Sequence, residues 1–289
     1  MNGMKAMSET RDHSQFDQRW LALREPADHR ARNRALLAQL QSWLGHEQLL
    51  RIVDLGTGAG SNGVYLCDKL RGPQHWTLLD QDAFLLAEAR ARLSAGPGLK
   101  SSSIETCNCT IAADNLTDLI PVGTRVITAS ALIDLMSSDW LDALAGAAQA
   151  RHAAVYIVLS YAGEFQLHPQ LEDDDLIRSL VNKHQHGDKG SGAALGPEAT
   201  SYLKETLEAY GYEVAVEASP WLLSGDDGAL QAALMSGWCE AAMEQGPAER
   251  ARIEQWQSSR LQQAAAGQLN IQVAHLDLFA RPAFPASHD

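Results

Sequence analysis

An acidic residue followed by closely spaced glycines is the part of the chain whose residue types best suit ligand binding. Residues 52–63 read IVDLGTGAGSNG, with Asp54 ahead of Gly56, Gly58 and Gly60 at alternate positions. Glycine lets the backbone approach a ligand closely, and a helix that begins after such a turn offers unpaired N–H groups to that ligand. We therefore expect a ligand-binding loop between a strand and a helix.

Polar residues also follow the ends of other predicted strands. Asp80 ends the second strand, Asp114 and Asn115 follow the third, and Ser130 and Asp134 follow the fourth. Open parallel sheets bind their ligands at the carboxyl ends of their strands. We expect these side chains at one edge of a sheet, although a helix cap would also explain Asp114.

Titratable side chains are concentrated in two other segments. His168, His184, Asp188 and Lys189 belong to the polar stretch after the fifth predicted strand, for which we predict a lid or a substrate contact. Arg24 lies in the charged segment LREPADHR and could hold a carboxylate through two hydrogen bonds, the alternative being a solvated helix start. We expect no metal ion, because His184 and the neighbouring histidine lack a third ligand.

The elements that must position these residues alternate between strand and helix. Leucines at helical spacing in residues 1–48 predict a helical cap of two helices broken near Pro26. Residues 49–289 form the main domain, with a loop at about 167–195 and a helical insert at about 226–266. The predicted strands are 49–55, 76–79, 107–113, 125–129, 153–160, 212–218 and 269–279. This alternation favours a mostly parallel, doubly wound α/β sheet.

The acid and the G-x-G-x-G pattern after the first strand resemble the first motif of the class I S-adenosylmethionine-dependent methyltransferases, in particular bacterial enzymes that act on small molecules. The resemblance covers residues 51–161 and extends weakly to residue 279. It implies a Rossmann-like, seven-stranded sheet whose last strand is antiparallel. It also implies S-adenosylmethionine as the cofactor.

The resemblance assigns cofactor contacts to the loop and to the strand ends. Asp54 would anchor the loop or the ammonium group of the cofactor, and Asp80 would bind the ribose hydroxyls. Asp114 would receive the adenine amino group, with the backbone N–H of Asn115 meeting the ring. The floor of the site would consist of Gly56, Thr57, Gly58 and Gly60, and Ser130 would face the cofactor.

The activity that the resemblance implies is methyl transfer to an oxygen, nitrogen or carbon atom of a small molecule. Asp134 and His184 are the candidate bases if the acceptor must lose a proton. Arg24, His168, Asp188 and Lys189 are the candidate substrate contacts. The N-P-P-Y form of the family's fourth motif is absent here, since the sequence reads ASALID, and this argues against DNA adenine and protein glutamine as substrates.

Two other functions are compatible with parts of the pattern. Gly58, Gly60 and Gly63 also spell the G-x-G-x-x-G motif of an NAD(P)-dependent oxidoreductase. That motif begins directly after the strand, whereas Gly58 lies three residues beyond Leu55 and Asp54 would have no task. A non-catalytic cofactor-binding module is the second alternative, although the chain retains the glycines and Asp80.

Composition excludes several classes of protein. The chain has 289 residues, 45% of them hydrophobic, and a net charge of -13, which would repel a nucleic acid backbone. No apolar run approaches the ~18 residues that a membrane span needs, and the first residues are too polar for a secretion signal. We expect a cytoplasmic protein without nucleic acid or membrane partners, and a homodimer is compatible with the sequence.

Overall fold

A mixed β-sheet forms the centre of the computed structural model, which describes residues 18–45, 47–96, 103–188, 190 and 192–283. Within these residues the strands are β1 Leu50–Leu55, β2 Gln74–Asp80, β3 Ser103–Asn108, β4 Val126–Ser130, β5 Ala154–His168, β6 Tyr212–Ala218, β7 Trp221–Leu223 and β8 Asn270–Pro282. Their order is β3-β2-β1-β4-β5-β8-β6, with β7 paired to β8. Strands β1 to β5 are parallel, and β8 is antiparallel to its three neighbours.

Helices cover both faces of this sheet. They are α1 at 18–31, α2 Arg34–Leu44, α3 Ser61–Cys67, α4 Ala83–Ala95, α5 Leu116–Leu119, α6 Ser138–Arg151, α7 Asp174–Gln185, α8 Ala199–Ala209, α9 Gly228–Gln245 and α10 Arg250–Ala265. Side chains of α5, α6 and α8 form a core with one face, and those of α2, α3 and α4 form a core with the other. The predicted doubly wound, mostly parallel sheet with an antiparallel last strand is confirmed, and β7 is a short additional strand.

The long strands β5 and β8 extend beyond the rest of the sheet. The first eight residues of β5 are all buried, as expected of a strand covered on both faces, whereas its last residues alternate between buried and exposed. Beyond Tyr161 only one face is covered, by helices α7, α9 and α10. Phe165 of β5 stacks on Trp238 of α9 with ring centroids 3.9 Å apart, so this extension has a core of its own.

The structure corrects the prediction of a loop at 167–195. Strand β5 continues to His168, and residues 174–185 form helix α7. The charged residues of this segment hide a helical pattern in which Ile177, Leu180 and Val181 are the buried residues. Only residues 186–195 match the predicted irregular loop, and Lys189 lies outside the described residues.

Two smaller expectations are also wrong. Helix α1 continues through the exposed Pro26 and ends at residue 31. Helix α2 then begins after Asn33, whose side chain caps it by accepting hydrogen bonds from the backbone N–H groups of Ala35 and Leu36. Strand β3 lies at Ser103–Asn108 instead of 107–113, because it is an edge strand with polar residues that the apolar pattern could not reveal.

The predicted cap and the predicted insert each contain two helices of the structure. Helices α1 and α2 lie within the predicted cap, and α9 and α10 lie within the predicted insert. The division of the chain into these units stays a prediction. Among the described helices, none is long and apolar enough to cross a bilayer.

Candidate functional site

The glycines after β1 have two different structural tasks. Gly56 and Gly58 adopt left-handed φ angles of 58° and 50°, which form the turn between β1 and α3. A Cβ atom added to Gly60 would lie 2.8 Å from the Cα of Ala89, and Gly60 has a φ of 84°. Gly56 and Gly58 therefore shape the loop, whereas Gly60 also allows close packing against α4.

Asp54 anchors this loop from below. Its carboxylate is fully buried and accepts hydrogen bonds of 2.6 Å from the Thr57 hydroxyl and of 2.6 Å from the Asn62 amide. Burial raises the pKa of Asp54 to about 6, although the hydrogen bonds from Thr57 and Asn62 lower it. Of the two roles implied for Asp54, the contacts show that of loop anchor.

Asp80 lies at the end of β2 and contacts the same loop. One carboxylate oxygen accepts a 2.8 Å hydrogen bond from the backbone N–H of Gly58, and the other accepts a 2.9 Å bond from that of Asp82. The side chain is only half-buried, and a carboxylate has about four lone-pair positions, so Asp80 can accept further hydrogen bonds from a ligand.

The loop after β3 reaches the same edge of the sheet. The backbone N–H of Cys109 bonds to the carbonyl of Asp80 at 3.0 Å, which holds the start of this loop beside β2. Asn115 uses its side chain within the loop, where it accepts from Ala112 and donates to Thr110, both at 3.0 Å. Asp114 is exposed, six residues beyond the end of β3, instead of directly after the strand as predicted.

The turn after β4 touches the glycine loop. Ser130 ends the strand, and Leu132 lies 3.0 Å from the position that a Cβ atom on Gly56 would occupy. Asp134 follows in a single 3-10 turn and is 7% exposed, with no hydrogen-bond partner for its Oδ1 atom. The two turns are therefore adjacent, and the second carries a buried carboxylate.

Burial raises the pKa of Asp134 to about 6. Backbone hydrogen bonds from Asp134 itself and from Tyr161, together with the positive charge of Arg24, act in the opposite direction. A carboxyl with such a pKa has a higher proton affinity than an exposed aspartate and still ionises near neutral pH, which suits a general base.

Helix α1 covers the glycine loop. Leu21 lies 3.4 Å from the position that a Cβ atom on Gly58 would occupy. Glu25 forms an ion pair of 2.6 Å with Arg92 of α4, and Arg92 also donates to the carbonyl of Ala59 at 2.8 Å. Residues of the predicted cap thus lie directly against the loop.

Arg24 of α1 is turned toward the protein. Its guanidinium donates two hydrogen bonds, of 2.9 and 3.2 Å, to Asp28, and it lies 5.1 Å from the ring centroid of Trp221. Trp221 in turn donates to Asp28 at 3.0 Å. Arg24 is therefore near the site, but Asp28 already occupies the bidentate geometry that was predicted to bind a carboxylate.

The other described substrate candidates, His168 and Asp188, and the candidate base His184 do not join this group. His168 ends β5 opposite Asn270, which is five residues along β8 from His275 and so about 17 Å away at ~3.4 Å per residue. His184 contacts Glu244 of α9 at 3.1 Å. Asp188 is exposed and accepts hydrogen bonds from its own turn.

Two residues around the site, Arg32 and His275, were not predicted from the sequence. Arg32 is buried and donates to Asn62 at 2.6 Å, behind the glycine loop. His275 of β8 is also buried, with ring centroids 5.0 Å from Trp221 and 6.4 Å from Tyr161, and its Nδ1 atom lacks a partner. These residues come from distant parts of the chain, so only the fold could bring them together.

No protein-family model and no curated protein sequence matches the chain. Similar solved structures include YcgJ from Bacillus subtilis, with 13% identity, a TM-score of 0.48 and coverage of 87% of this chain and 100% of that one. The cyclopropane synthase MmaA2 from Mycobacterium tuberculosis has 9% identity, a TM-score of 0.46 and coverage of 86% and 83%.

A third similar structure is an S-adenosylmethionine-dependent methyltransferase from Geobacter sulfurreducens in complex with S-adenosylhomocysteine. It has 17% identity, a TM-score of 0.42 and coverage of 91% of this chain and 98% of that one. Identities and TM-scores this low do not indicate what the present chain does. A functional proposal must therefore depend on the residues at the edge of the sheet.

Proposed function

We propose that this chain is an S-adenosylmethionine-dependent methyltransferase that acts on a small molecule. The observation that carries the proposal is the joint geometry of Asp54, Gly58 and Asp80. Asp54 holds a left-handed glycine loop from below, and Asp80 of the adjacent strand binds the backbone of that loop from the side. This arrangement leaves backbone groups and a carboxylate at one edge of a parallel sheet, where such sheets bind ligands.

The residues present fit the adenosyl cofactor at most of the predicted positions. Gly56 and Gly58 carry no side chain where the backbone must approach the ligand, and Thr57 turns its hydroxyl down to Asp54. Asp80 retains lone pairs for the ribose hydroxyls. Asn115 fits least through its side chain, which its own loop occupies, so its contact would come from the backbone N–H.

When bound, the cofactor would supply a methyl group on a positively charged sulfur, which is already reactive toward nucleophiles. The protein must then hold the acceptor in line with that group and exclude water, which accounts for much of the rate of such a transfer. Helix α1 covers the loop through Leu21 and Glu25. Asp134 follows Leu132, which adjoins Gly56 of the glycine loop, and its carboxylate could hold a proton that the acceptor releases.

A nicotinamide-dependent oxidoreductase is disfavoured by the same contacts. The Gly58 N–H, which would have to face a pyrophosphate in that class, is bonded to the carboxylate of Asp80. A negative charge at this position would repel a second negative charge. A non-catalytic binding module does not account for the buried carboxylate of Asp134, whose Oδ1 atom lacks a hydrogen-bond partner at a cost in stability.

Calorimetric titration of the purified protein with S-adenosylhomocysteine, S-adenosylmethionine and NADH tests the proposal. We expect micromolar binding of both adenosyl ligands and no comparable binding of NADH. Binding of NADH in the absence of any heat from the adenosyl ligands would overturn it.

A further inference from the structure

The buried carboxylate of Asp134 forms no ion pair with a cationic side chain among the described residues. Asp134 is 7% exposed and its Oδ1 atom has no hydrogen-bond partner. A buried charge is costly unless a partner of opposite charge compensates for it. A carboxylate in this position is therefore expected to have a cationic partner that comes from outside the chain.

The positive charge of Arg24 acts on Asp134, but the guanidinium of Arg24 is hydrogen-bonded to Asp28. Among the described residues, its guanidinium donates two hydrogen bonds, and both go to Asp28, in a bidentate arrangement of 2.9 and 3.2 Å. Within the described part of the chain no hydrogen bond or ion pair joins Arg24 to Asp134. The charges of Arg24 and Asp28 cancel each other. The three residues Arg24, Asp28 and Asp134 together therefore have a net charge of about -1 when Asp134 is ionised.

His275 adds a second unpartnered polar atom on the neighbouring strand pair. Tyr161 lies opposite His275 in the ladder between β5 and β8, and the backbone of Tyr161 bonds to Asp134. His275 is 6% exposed and its Nδ1 atom has no partner. Burial, together with the charge of Arg24, lowers the pKa of His275 to about 3, so the imidazole is neutral and does not compensate for Asp134.

Aromatic rings border the same group. The Trp221 ring lies 5.0 Å from that of His275 and 6.3 Å from that of Trp20. The faces of such rings attract cations. The guanidinium of Arg24 already lies over both indole rings, 5.8 Å from the Trp20 centroid and 5.1 Å from the Trp221 centroid. The environment for an added cation with N–H donors therefore comes from the negative charge of Asp134 and the unused nitrogen of the neutral His275 imidazole.

We propose that the acceptor is a small amine, which binds as its ammonium ion with Asp134 as the countercharge and His275 as a second hydrogen-bond partner. This inference rests on the proposed methyl transfer, and it narrows the acceptor atom to nitrogen. The charge of Asp134 disfavours a carboxylate or phosphate acceptor. A hydroxyl acceptor would leave that charge without compensation.

The proposed reaction balances with these groups. The ammonium ion gives one proton to Asp134, and burial favours this step because it raises the pKa of a carboxyl and lowers that of an amine. The freed lone pair of the nitrogen forms the new N–C bond to the methyl group. At the same time the C–S bond of the cofactor would break, and the electron pair of that bond would stay on sulfur. The product leaves as a methylated ammonium ion, and Asp134 returns its proton to water.

The test uses three probes of similar size that differ in charge, namely ethylammonium, ethanol and acetate, with sodium chloride at equal ionic strength as the reference. Melting temperatures are measured for the full chain and for Asp134→Asn at pH 7.5, where Asp134 is ionised. At saturating probe we expect ethylammonium to raise the melting temperature of the parent by roughly 2–5 °C. The rise should be absent in Asp134→Asn and reduced in His275→Phe, which keeps an aromatic ring.

Two control variants change polar groups away from the site. Asp142→Asn removes an exposed carboxylate of α6, and Thr200→Val removes a buried hydroxyl of α8 that also lacks a partner. Both should respond to ethylammonium like the parent. An equal response in Asp134→Asn, a larger response to ethanol or acetate, or no response to any probe would overturn the inference.

A parallel titration with S-adenosylhomocysteine separates this inference from the proposed function. A protein that binds S-adenosylhomocysteine but fails the ethylammonium test refutes only the amine. A protein that does not bind either adenosyl ligand refutes the methyl transfer, whatever its response to ethylammonium.

Discussion

Asp277 of β8 accepts a 2.8 Å hydrogen bond from the backbone N–H of Leu159, a residue of β5 with a left-handed φ of 60°. At this point the pairing shifts from Ile157 opposite Leu278 to Ser160 opposite Leu276, which marks a β-bulge. Bulges redirect the side chains that follow them. The bulge thus sets the register in which Tyr161 faces His275 beside the candidate acceptor site.

The first prediction concerns Asp277 as a junction of four segments. Besides Leu159, its carboxylate accepts hydrogen bonds from the Ser219 hydroxyl at 2.6 Å and from the Asn33 backbone at 2.8 Å. Asp277→Asn replaces one acceptor oxygen by a donor that faces another donor. We expect the free energy of unfolding to fall by about 2–4 kcal/mol, measured by urea denaturation.

Glu217 provides the matched control for Asp277. It lies opposite Asp277 in the β6–β8 ladder and is exposed. Glu217→Gln should change the free energy of unfolding by less than about 0.5 kcal/mol. If the two variants were equally stable, the carboxylate of Asp277 would not hold the bulge.

The second prediction separates the two tasks of the loop glycines. Gly60→Ala would place its Cβ 2.8 Å from the backbone of Ala89, so we expect a loss of roughly 2–4 kcal/mol of stability. Gly58→Ala would meet only Leu21 at 3.4 Å, and we expect a loss of about 1 kcal/mol, with a clear loss of S-adenosylhomocysteine affinity. Thermal unfolding and calorimetry on both variants check this. The reverse ranking of stabilities would contradict it.

The third prediction concerns Asp80. Asp80→Ala should weaken the binding of S-adenosylhomocysteine by about 1–3 kcal/mol, because the ribose hydroxyls lose a charged acceptor. The variant should fold. Calorimetry is the measurement.

Asp82→Ala is the control for Asp80, since Asp82 accepts from Phe84 and Leu85 and caps α4. Its loss should cost about 1 kcal/mol of stability and leave the affinity unchanged. Undiminished affinity in Asp80→Ala would show that Asp80 does not bind the ribose.

Local sequence patterns predicted the parts of the molecule that local interactions determine. Asp54 and Thr57 are three residues apart, with Gly56 between them and Gly58 directly after Thr57, so the motif contains its own anchor. The alternation of strands and helices likewise determined the sheet, because parallel strands need such connections. The fold class is confirmed for this reason.

Contacts between distant segments could not be predicted in the same way. Trp221 bonds to Asp28 across 193 residues, and His275 meets Tyr161 only through the antiparallel pairing of β5 and β8. His275 lies in a strand pattern that is otherwise apolar, where a histidine is usually a core residue. Helix α7 was missed because its charged residues outweigh Ile177, Leu180 and Val181.

The fourth prediction is a pH dependence. The pKa of Asp134 in the folded protein, about 6, lies above its ordinary value of 3.8. Protonated Asp134 therefore favours the folded state, and this stability is present below pH 3.8 and lost as the pH rises through about 6. Relative to Asp134→Asn, the parent should lose up to roughly 3 kcal/mol between pH 4 and pH 7.5.

Urea denaturation of both proteins across this pH range measures the difference. His275 and Asp54 also titrate abnormally, but both proteins contain them, so their contributions cancel in the comparison. The asparagine amide changes the absolute difference but does not titrate. A difference in stability that stays constant with pH would mean that Asp134 is not held at a raised pKa.

The fifth prediction decides between the two candidate bases, Asp134 and His184. His184 on α7 contacts Glu244 of α9 at 3.1 Å, whereas Asp134 lies on the turn that touches Gly56 through Leu132. We expect His184→Ala to retain methyl transfer within about twofold of the parent, and Asp134→Asn to lose about 100-fold or more. The measurement is S-adenosylhomocysteine formation with an amine found by screening, on variants shown to bind the cofactor.

Glu244→Ala is the control for the contact of His184, and it should behave like His184→Ala. Loss of activity in His184→Ala alone, with Asp134→Asn still active, would make His184 the base and would place helix α7 at the acceptor.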